Sequence, residues 1–230
     1  LAIKDGSIKQ NPVLVDMINK LKETKGTCHL MGLMSPGGVH SHQKHIEALC
    51  EILNENDINV DVHAFLDGRD TPPQSAKQFL SEFENNIKQL DKVKVATISG
   101  RFYAMDRDKR WDRVEKAYNN IVIADGERFK TSDEAITTSY ANGVNDEFVV
   151  PCVVGDYNGA KDGDAVLMVN YRADRAREIL YALGDKEFNG FERNKVINFI
   201  DLVGMTEYSV DHKRFMKTIF EPESLTNIFG

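Results

Sequence analysis

The sequence has few cysteines and no long apolar run. Its three cysteines, Cys28, Cys50 and Cys152, are odd in number, far apart and set in apolar segments. This pattern excludes a disulfide framework and predicts reduced thiols in the core. No segment approaches the roughly 20 apolar residues that a membrane span needs, and no signal-peptide pattern opens the chain. We therefore expect a cytoplasmic protein that makes no membrane contact.

Positive charge is also in short supply. Lysine and arginine number 29 against 36 acidic residues, which gives a formal net charge of −7. Nucleic-acid-binding proteins usually carry a basic surface, so this balance argues against a nucleic-acid partner. Against an acidic background, arginines that gather in one place would form a local site for an anion.

Two familiar catalytic patterns are missing from the sequence. It contains neither the G-x-S-x-G motif of a hydrolase nucleophile nor a P-loop. Ser35 and Ser41 have no evident general base in a triad pattern. The sequence thus offers nothing that would cleave a phosphate ester.

The chain lacks an initiating methionine, since it begins at Leu1 and stops at Gly230. We expect both ends to be cut from something larger. Hydrophobic content of 41% and charged content of 28% are typical of a globular protein. A length of 230 residues is enough for one large domain or two small ones.

Short apolar runs alternate with segments of helical periodicity. The runs predict buried strands at 28–34, 59–66, 93–98, 164–171 and 196–200. The periodic segments predict helices over 12–26, 42–54, 73–90, 109–123, 131–141 and 172–183. This alternation predicts an α/β fold with a mostly parallel sheet and helices on both faces. Residues 142–163 break the rhythm, and we expect a small irregular or antiparallel excursion there.

Polar side chains follow four of the predicted strands. They lie in the turns Gly37-Gly38-Val39-His40, Gly68-Arg69-Asp70, Gly100-Arg101 with Arg107, and Arg172 with Arg175. The carboxyl ends of parallel strands meet at one edge of a sheet, where ligands bind. Guanidinium groups suit the bidentate binding of carboxylate and phosphate oxygens. The sequence therefore predicts a site for a small, multiply charged anion such as a phosphorylated carboxylate.

Arg172 and Arg175 fall in the first turn of the predicted helix 172–183. Residues three apart project from one helix face, and cations there oppose the helix macrodipole unless an anion joins them. The alternative for each arginine is an ordinary ion pair, such as Arg172 or Arg175 with Asp174, or Arg69 with its neighbour Asp70. The sequence alone leaves both interpretations open.

The histidines and Asp70 allow more than one role. His40, His42 and His45 suggest a metal site, but their spacing is poor for one. His40, in a glycine-rich turn, fits a donor to an anion or a proton shuttle better, and His42 fits a helix cap. Asp70 is well placed for general acid–base work, although it could equally orient an arginine.

Several of these segments are long and specific. They read SPGGVHSH at 35–42, FLDGRDTPP at 65–73, SGRFYAMDRDKRWDR at 99–113 and NYRADRAR at 170–177. In this order and spacing the set resembles the 2,3-bisphosphoglycerate-independent phosphoglycerate mutases. The resemblance extends from AIKDGS at 2–7 to SLTN at 224–227.

The resemblance implies that residues 1–230 are the single inserted phosphotransferase domain of a two-domain enzyme, whose alkaline-phosphatase-type metal domain is absent. In that family a phosphate moves between 3-phosphoglycerate and 2-phosphoglycerate through a serine beside two manganese ions, all in the other domain. The implied partners are these two phosphoglycerates and the phosphatase domain of the same polypeptide. The implied substrate contacts are His40, Arg69, Asp70, Arg101, Arg107, Arg172 and Arg175.

The resemblance also implies that Asp70 exchanges protons with the substrate hydroxyls. We expect the chain alone to fold as a monomer, to hold no manganese and to lack mutase activity. One alternative is a free-standing module that binds a phosphorylated metabolite without chemistry. Another is a metal hydrolase that uses His40, His42 and His45.

Overall fold

The computed structural model describes residues 2–222. The SLTN segment at 224–227 lies outside the described residues. The strands are β1 Cys28–Leu33, β2 Val60–Leu66, β3 Val93–Gly100, β4 Arg128–Phe129, β5 Cys152–Val154, β6 Ala165–Met168, β7 Asp201–Gly204 and β8 Lys217–Thr218. The α-helices are α1 Pro12–Thr24, α2 Gln43–Glu55, α3 Ala76–Ile87, α4 Arg101–Ala104, α5 Trp111–Ile123, α6 Ser132–Ala141 and α7 Arg177–Gly184. Short 3-10 helices span Ser7–Gln10, Asp146–Phe148 and Asp211–Arg214.

The strands form one sheet in the order β4-β5-β3-β2-β1-β6-β7-β8. All neighbouring strands run parallel except β3 and β5, which are antiparallel. The predicted α/β class with a mostly parallel sheet is confirmed. The antiparallel strand β5 lies inside the predicted excursion at 142–163, which is therefore confirmed as well.

Strands β1 and β6 are neighbours at the middle of the sheet. From β1 the order continues to β2 and β3 on one side, and from β6 to β7 and β8 on the other. A crevice opens at the carboxyl ends of strands where the order reverses in this way, and such a crevice is the usual ligand site of an open α/β sheet. The topology thus places the turns after β1, β2, β3 and β6 around one crevice.

Apolar side chains cover both faces of the sheet. In β1, Leu30 packs in the cluster that holds α1, α2, α3 and α6, whereas Met31 and Leu33 pack in the cluster of α5 and α7. Successive strand residues point to opposite faces. Because both faces are covered, the central strands β1 and β2 are buried along nearly their whole length.

Three predicted boundaries are wrong. Helix α3 begins at Ala76 instead of residue 73, because the Asp146 carboxylate, and not Thr71, accepts the free N–H groups at its start. Helix α7 begins at Arg177 instead of residue 172, because residues 172–176 form turns. The predicted strand 196–200 lies in an irregular segment before β7, whose paired residues start at Asp201.

The three cysteines are buried and free, as predicted. Burial raises the pKa of the Cys152 thiol to about 12, which leaves it protonated and unreactive at neutral pH. Within residues 2–222, none of the helices combines the length and the apolar character that crossing a membrane demands.

Candidate functional site

The turn after β2 is organised by Asp67. One of its carboxylate oxygens accepts hydrogen bonds from the backbone N–H groups of Arg69 at 3.1 Å and Asp70 at 2.9 Å. The other oxygen accepts the Ser35 hydroxyl at 2.6 Å. Gly68 has a φ of +69°, a left-handed conformation that glycine adopts without strain. Asp67 therefore folds the turn that carries Arg69 and Asp70 and ties it to the turn after β1.

Arg101, the first residue after β3, is buried beneath this turn with a side chain that is 3% exposed. Its Nη1 donates to Asp67 and to Asp70, both at 2.9 Å, and its Nη2 lies 3.2 Å from His40 Nε2. A buried guanidinium needs such charged partners because desolvating an unpaired ion is costly. Arg101 thus connects the turns after β1, β2 and β3.

His40 lies between Arg101 and Asp174. Burial, and then the charge of Arg101, lower the pKa of His40 below its usual value, so the ring is neutral at physiological pH. Since Nε2 faces the Arg101 donor, the single ring proton belongs on Nδ1. Nδ1 lies 3.8 Å from an oxygen of Asp174. Within residues 2–222, His40 Nδ1 makes no hydrogen bond, whereas this Asp174 oxygen lies 3.2 Å from Arg172 Nε.

Asp174 draws together arginines from two loops. It accepts a hydrogen bond from Arg107 at 2.8 Å and pairs with Arg172 Nε at 3.2 Å. Burial opposes ionisation of this carboxyl, but the Arg107 hydrogen bond and the charge of Arg172 outweigh it and lower the pKa of Asp174. The alternative pairing of Arg172 with Asp174 is thus present, but Arg107 shares the same carboxylate.

Arg175 differs from the other arginines. Its Nη1 donates to the backbone carbonyl of Met105 at 3.1 Å, and in the described part of the chain no carboxylate lies within ion-pair distance of it. Burial, followed by the positive charges of Arg101, Arg107 and Arg69, lowers the pKa of Arg175. It is therefore a half-buried cation among other cations, and the more distant Asp174 carboxylate offsets their charge only in part.

Arg69 lies at the outer rim. Its side chain is 60% exposed and its Nη1 is 3.4 Å from Glu147. Asp70 pairs with Arg101 instead, so the alternative of an Arg69–Asp70 loop pair does not occur. We call the five guanidinium groups the arginine cluster, which consists of Arg69, Arg101, Arg107, Arg172 and Arg175.

The structure brings all seven predicted site residues to the carboxyl ends of β1, β2, β3 and β6. Three residues that hold these side chains in place had no site role in the sequence analysis: Ser35, Asp67 and Glu147. Asp174 was considered there only as an ion-pair partner of Arg172 or Arg175. The Asp-Gly pair after β2 was a usable signal, because aspartate at such a position accepts from the N–H groups two and three residues on. Glu147 had no such signal, since its contact spans 78 residues.

Space for a ligand adjoins the arginine cluster. A cleft of about 390 Å³ is lined by Arg107 and Asp174 together with the aromatic residues Trp111 and Tyr181. Of the arginine cluster only Arg107 lines this cleft, so the cleft meets the cluster at one edge.

The histidine-rich turn does not form a metal site. His42 caps α2 by accepting the Lys44 N–H at 3.2 Å, as the sequence suggested. His45 packs its ring against His42 and Tyr171. Among residues 2–222 no three histidine, cysteine or acidic side chains are grouped so that they could hold a metal ion. These residues do not fit the manganese pair that the resemblance implies for the whole enzyme.

Known proteins match this chain over nearly its whole length. A family profile described as "BPG-independent PGAM N-terminus" matches residues 1–210. A 2,3-bisphosphoglycerate-independent phosphoglycerate mutase of Rhodopseudomonas palustris is 53% identical over 229 residues, which are 100% of this chain and 45% of that protein. The corresponding mutase of Gluconobacter oxydans is 46% identical over 99% of this chain and 44% of its own length.

The fold agrees with this match. A crystal structure of Leishmania mexicana phosphoglycerate mutase superimposes with a TM-score of 0.90 and 33% identity over 98% of this chain and 43% of that one. The chain thus spans slightly less than half the length of the relatives that it matches. On the profile match and these relatives, the chain belongs to the family of N-terminal regions of 2,3-bisphosphoglycerate-independent phosphoglycerate mutases.

Proposed function

We propose that this chain is the substrate-holding part of a mutase that interconverts 3-phosphoglycerate and 2-phosphoglycerate. The relatives that support this proposal carry the name of that enzyme. In the proposal, the phosphate is handed to and from a serine outside this chain. The residues of this chain bind and orient the glycerate.

The observation that carries the proposal is the environment of Arg175. Among the described residues Arg175 donates to the Met105 carbonyl at 3.1 Å and has no carboxylate within ion-pair distance. The charges of Arg101, Arg107 and Arg69 lower its pKa, and the more distant Asp174 offsets them only in part. A multiply charged anion would offset this repulsion and gain charge-assisted hydrogen bonds from the planar guanidinium groups. A phosphoglycerate supplies a phosphate and a carboxylate for this purpose.

Arg107 and Arg172 are placed to bind the same anion. Their side chains are 46% and 52% exposed, and their shared partner Asp174 is 28% exposed. Pairs this accessible can exchange partners at low cost, because exposed ion pairs contribute about 0–1 kcal/mol. His40 adds a neutral donor, since its Nδ1–H has no hydrogen-bond acceptor among the described residues.

Asp70 fits proton exchange with the substrate better than Asp67 does. The Asp70 side chain is 18% exposed and Asp67 is 1% exposed, so a ligand in the crevice can reach Asp70 alone. Arg101 holds the Asp70 carboxylate at 2.9 Å. General acid–base catalysis requires such an oriented group within hydrogen-bond reach of the hydroxyl.

The remaining machinery belongs, in this proposal, to the phosphatase domain of the same polypeptide. Manganese would be held there, because the described residues of this chain contain no suitable ligand group. Manganese would supply charge neutralisation at the transferring phosphate. We infer that the isolated chain has no mutase activity and binds substrate weakly, since half of the closed site is missing.

The experiment is calorimetric titration of the 230-residue chain with 3-phosphoglycerate, glycerate and inorganic phosphate. We expect 3-phosphoglycerate to bind more tightly than either fragment, because two anionic groups engage one arginine cluster. A parallel assay for mutase turnover, with added manganese, should show none. Equal affinity for phosphate and 3-phosphoglycerate would contradict the substrate assignment. Turnover by the chain alone would contradict the proposal that phosphate transfer requires a serine outside this chain.

We propose further that the protein is cytoplasmic, is monomeric and uses no nucleic acid. The buried free thiols of Cys28, Cys50 and Cys152 support a reducing compartment, and the net charge of −7 supports the absence of nucleic acid. Light scattering on the purified chain tests the oligomeric state: a mass near 26.0 kDa is expected, and twice that mass would overturn it.

A further inference from the structure

A short segment crosses over the two turns that carry Arg69 and Arg101. It comprises residues 145–149, includes the 3-10 helix Asp146–Phe148, and is called the strap below. Gly100 N–H donates to the Val149 carbonyl at 2.8 Å. The approach is close enough that a Cβ on Gly100 would overlap the Glu147 carbonyl, and one on Gly68 would lie 2.9 Å from the Asp146 Cβ.

The strap also reaches the arginine cluster through a side chain. Glu147 lies 3.4 Å from Arg69 Nη1, and the ring of Phe148 packs 5.1 Å from that of Phe102, the residue after Arg101. The strap therefore touches the turn after β2 and the turn after β3 at once.

Asp146 anchors the strap. This residue is 1% exposed, and one carboxylate oxygen accepts the backbone N–H groups of Ser75 and Ala76, both at 2.9 Å. The other oxygen accepts the Tyr140 hydroxyl. Its own N–H donates to the Pro73 carbonyl at 2.9 Å.

These bonds make Asp146 the cap of a helix that lies 70 residues away in sequence. Ser75 occupies the capping position of α3, but its side chain caps nothing. A carboxylate at a helix N-terminus satisfies free N–H groups and interacts favourably with the helix macrodipole. The start of α3 is a fixed element of the fold, so it holds the strap in a fixed place.

We propose that Asp146 is a positioning residue for substrate binding. It ties the strap to α3, and the strap then sets the spacing of the Arg69 and Arg101 turns. The inference rests on the proposed function only in its expectation for phosphoglycerate affinity, because the placement of the two guanidinium groups is measurable without any ligand.

The experiment compares Asp146→Ala with Asp146→Asn in the 230-residue chain. Two readouts are used: the affinity for 3-phosphoglycerate, and the side-chain Nε–H resonances of Arg69 and Arg101 without ligand. We expect the alanine variant to bind at least tenfold more weakly and to shift both resonances. Asparagine retains an oxygen that caps α3 and should restore affinity to within about threefold.

Asn11→Ala is the matched control. Asn11 caps α1 by accepting the Val13 N–H at 3.0 Å and the Leu14 N–H at 3.3 Å, so its removal also costs a helix cap, on a helix that carries none of the strap's anchoring residues. We expect a comparable fall in the melting temperature with unchanged affinity and unchanged arginine resonances. If Asp146→Ala behaves like this control, the proposal is wrong.

Tyr140→Phe covers the case in which Asp146→Ala does not fold. It removes only the hydroxyl donor to Asp146, and we expect smaller shifts of the same two resonances with affinity two- to fivefold weaker. Unchanged resonances in this variant would overturn the proposal. If the unaltered chain does not bind 3-phosphoglycerate while the resonances still respond, the proposed function fails and the positioning role stands.

Discussion

The sheet carries a polar network on one face that contrasts with the arginine cluster at the carboxyl ends of its strands. Asp164 lies 2.8 Å from His29, His29 lies 2.9 Å from His63, and His63 lies 2.7 Å from Thr97. Both histidines and Thr97 are 0–1% exposed. We call these four residues the histidine chain.

The histidine chain is complete in itself. Hydrogen bonds can run in one direction, from the Thr97 hydroxyl to His63, from His63 to His29 and from His29 to Asp164, with one proton on each ring. Burial, followed by the neighbouring His29, lowers the pKa of His63 well below its usual value. A fully paired network of this kind fixes the strands and has no place for a ligand.

The arginine cluster is built from the same kinds of contact and is left incomplete. Nδ1 of His40 lacks a hydrogen bond within residues 2–222, and no carboxylate there lies within ion-pair distance of Arg175. Buried polar atoms are nearly always paired. Under the proposed function, unsatisfied charge, and not charge as such, distinguishes the side of the molecule where an anion would bind.

Breaking the histidine chain should produce the largest change in stability. Asp164→Ala removes the acceptor of His29 and of the Thr27 N–H at 2.9 Å. We expect the free energy of unfolding to fall by about 3–5 kcal/mol, because several donors, including that of His29, are left unpaired at about 1–3 kcal/mol each. Urea denaturation measures this. Affinity for 3-phosphoglycerate, measured where the variant is folded, should not change, and a loss of affinity would break the separation of the two regions.

Removing Arg175 should weaken ligand binding and leave the stability of the chain intact. Arg175→Ala deletes a cation that repels its neighbours, so we expect stability to be unchanged or slightly higher and binding of 3-phosphoglycerate to weaken by about 2–5 kcal/mol. Arg128→Ala is the matched control, since Arg128 also donates to backbone carbonyls, at 2.7 and 2.9 Å, but lies on β4. Calorimetry on both variants measures the difference; equal affinities would mean that the site is misplaced.

The pH dependence of the free energy of unfolding should report on His63 of the histidine chain. The pKa of His63 is lower in the folded chain than its unfolded value of about 6.5, so only the unfolded chain takes up this proton as pH falls below that value. Stability should then fall below pH of about 6.5, with a slope of up to about 1.4 kcal/mol per pH unit for this group.

Nuclear magnetic resonance can follow His40 and His63 separately. Addition of 3-phosphoglycerate should raise the pKa of His40, because a nearby anion favours the charged form, and leave that of His63 where it is. A shift at His63 or none at His40 would contradict the account.

The smallest effect is expected at Lys130, an exposed residue between β4 and α6. Lys130→Ala should change stability and affinity by less than about 0.5 kcal/mol. Thermal unfolding and the same titration measure this. A larger loss of affinity would show that long-range charge, instead of the local arginine cluster, governs binding.

Sequence reasoning succeeded where structure follows from local pattern. Strands β1, β2 and β3 and helices α1, α2 and α6 were predicted to within a few residues, because periodicity and caps such as Thr131 are encoded nearby. The start of α3 was missed because its cap comes from Asp146, a distant residue. The segment 196–200 is apolar because Ile197 packs into the core, although none of the described strands pairs with it.

The same contrast between locally encoded features and long-range contacts applies to the site. A parallel sheet brings its strand ends together, so the grouping of the arginines followed from topology. Their individual partners did not follow, because Arg101 reaches Asp67 across 34 residues and Arg107 reaches Asp174 across 67. The arginines could be named from the sequence, whereas the one that is left without a carboxylate could be recognised only in three dimensions.

A crystal structure of the chain with 3-phosphoglycerate bound tests the central claim most directly. The account predicts that Arg175, together with Arg107 and Arg172, donates hydrogen bonds of about 3 Å to phosphate or carboxylate oxygens of the ligand. A ligand bound elsewhere, with Arg175 still bonded only to the Met105 carbonyl, would contradict it.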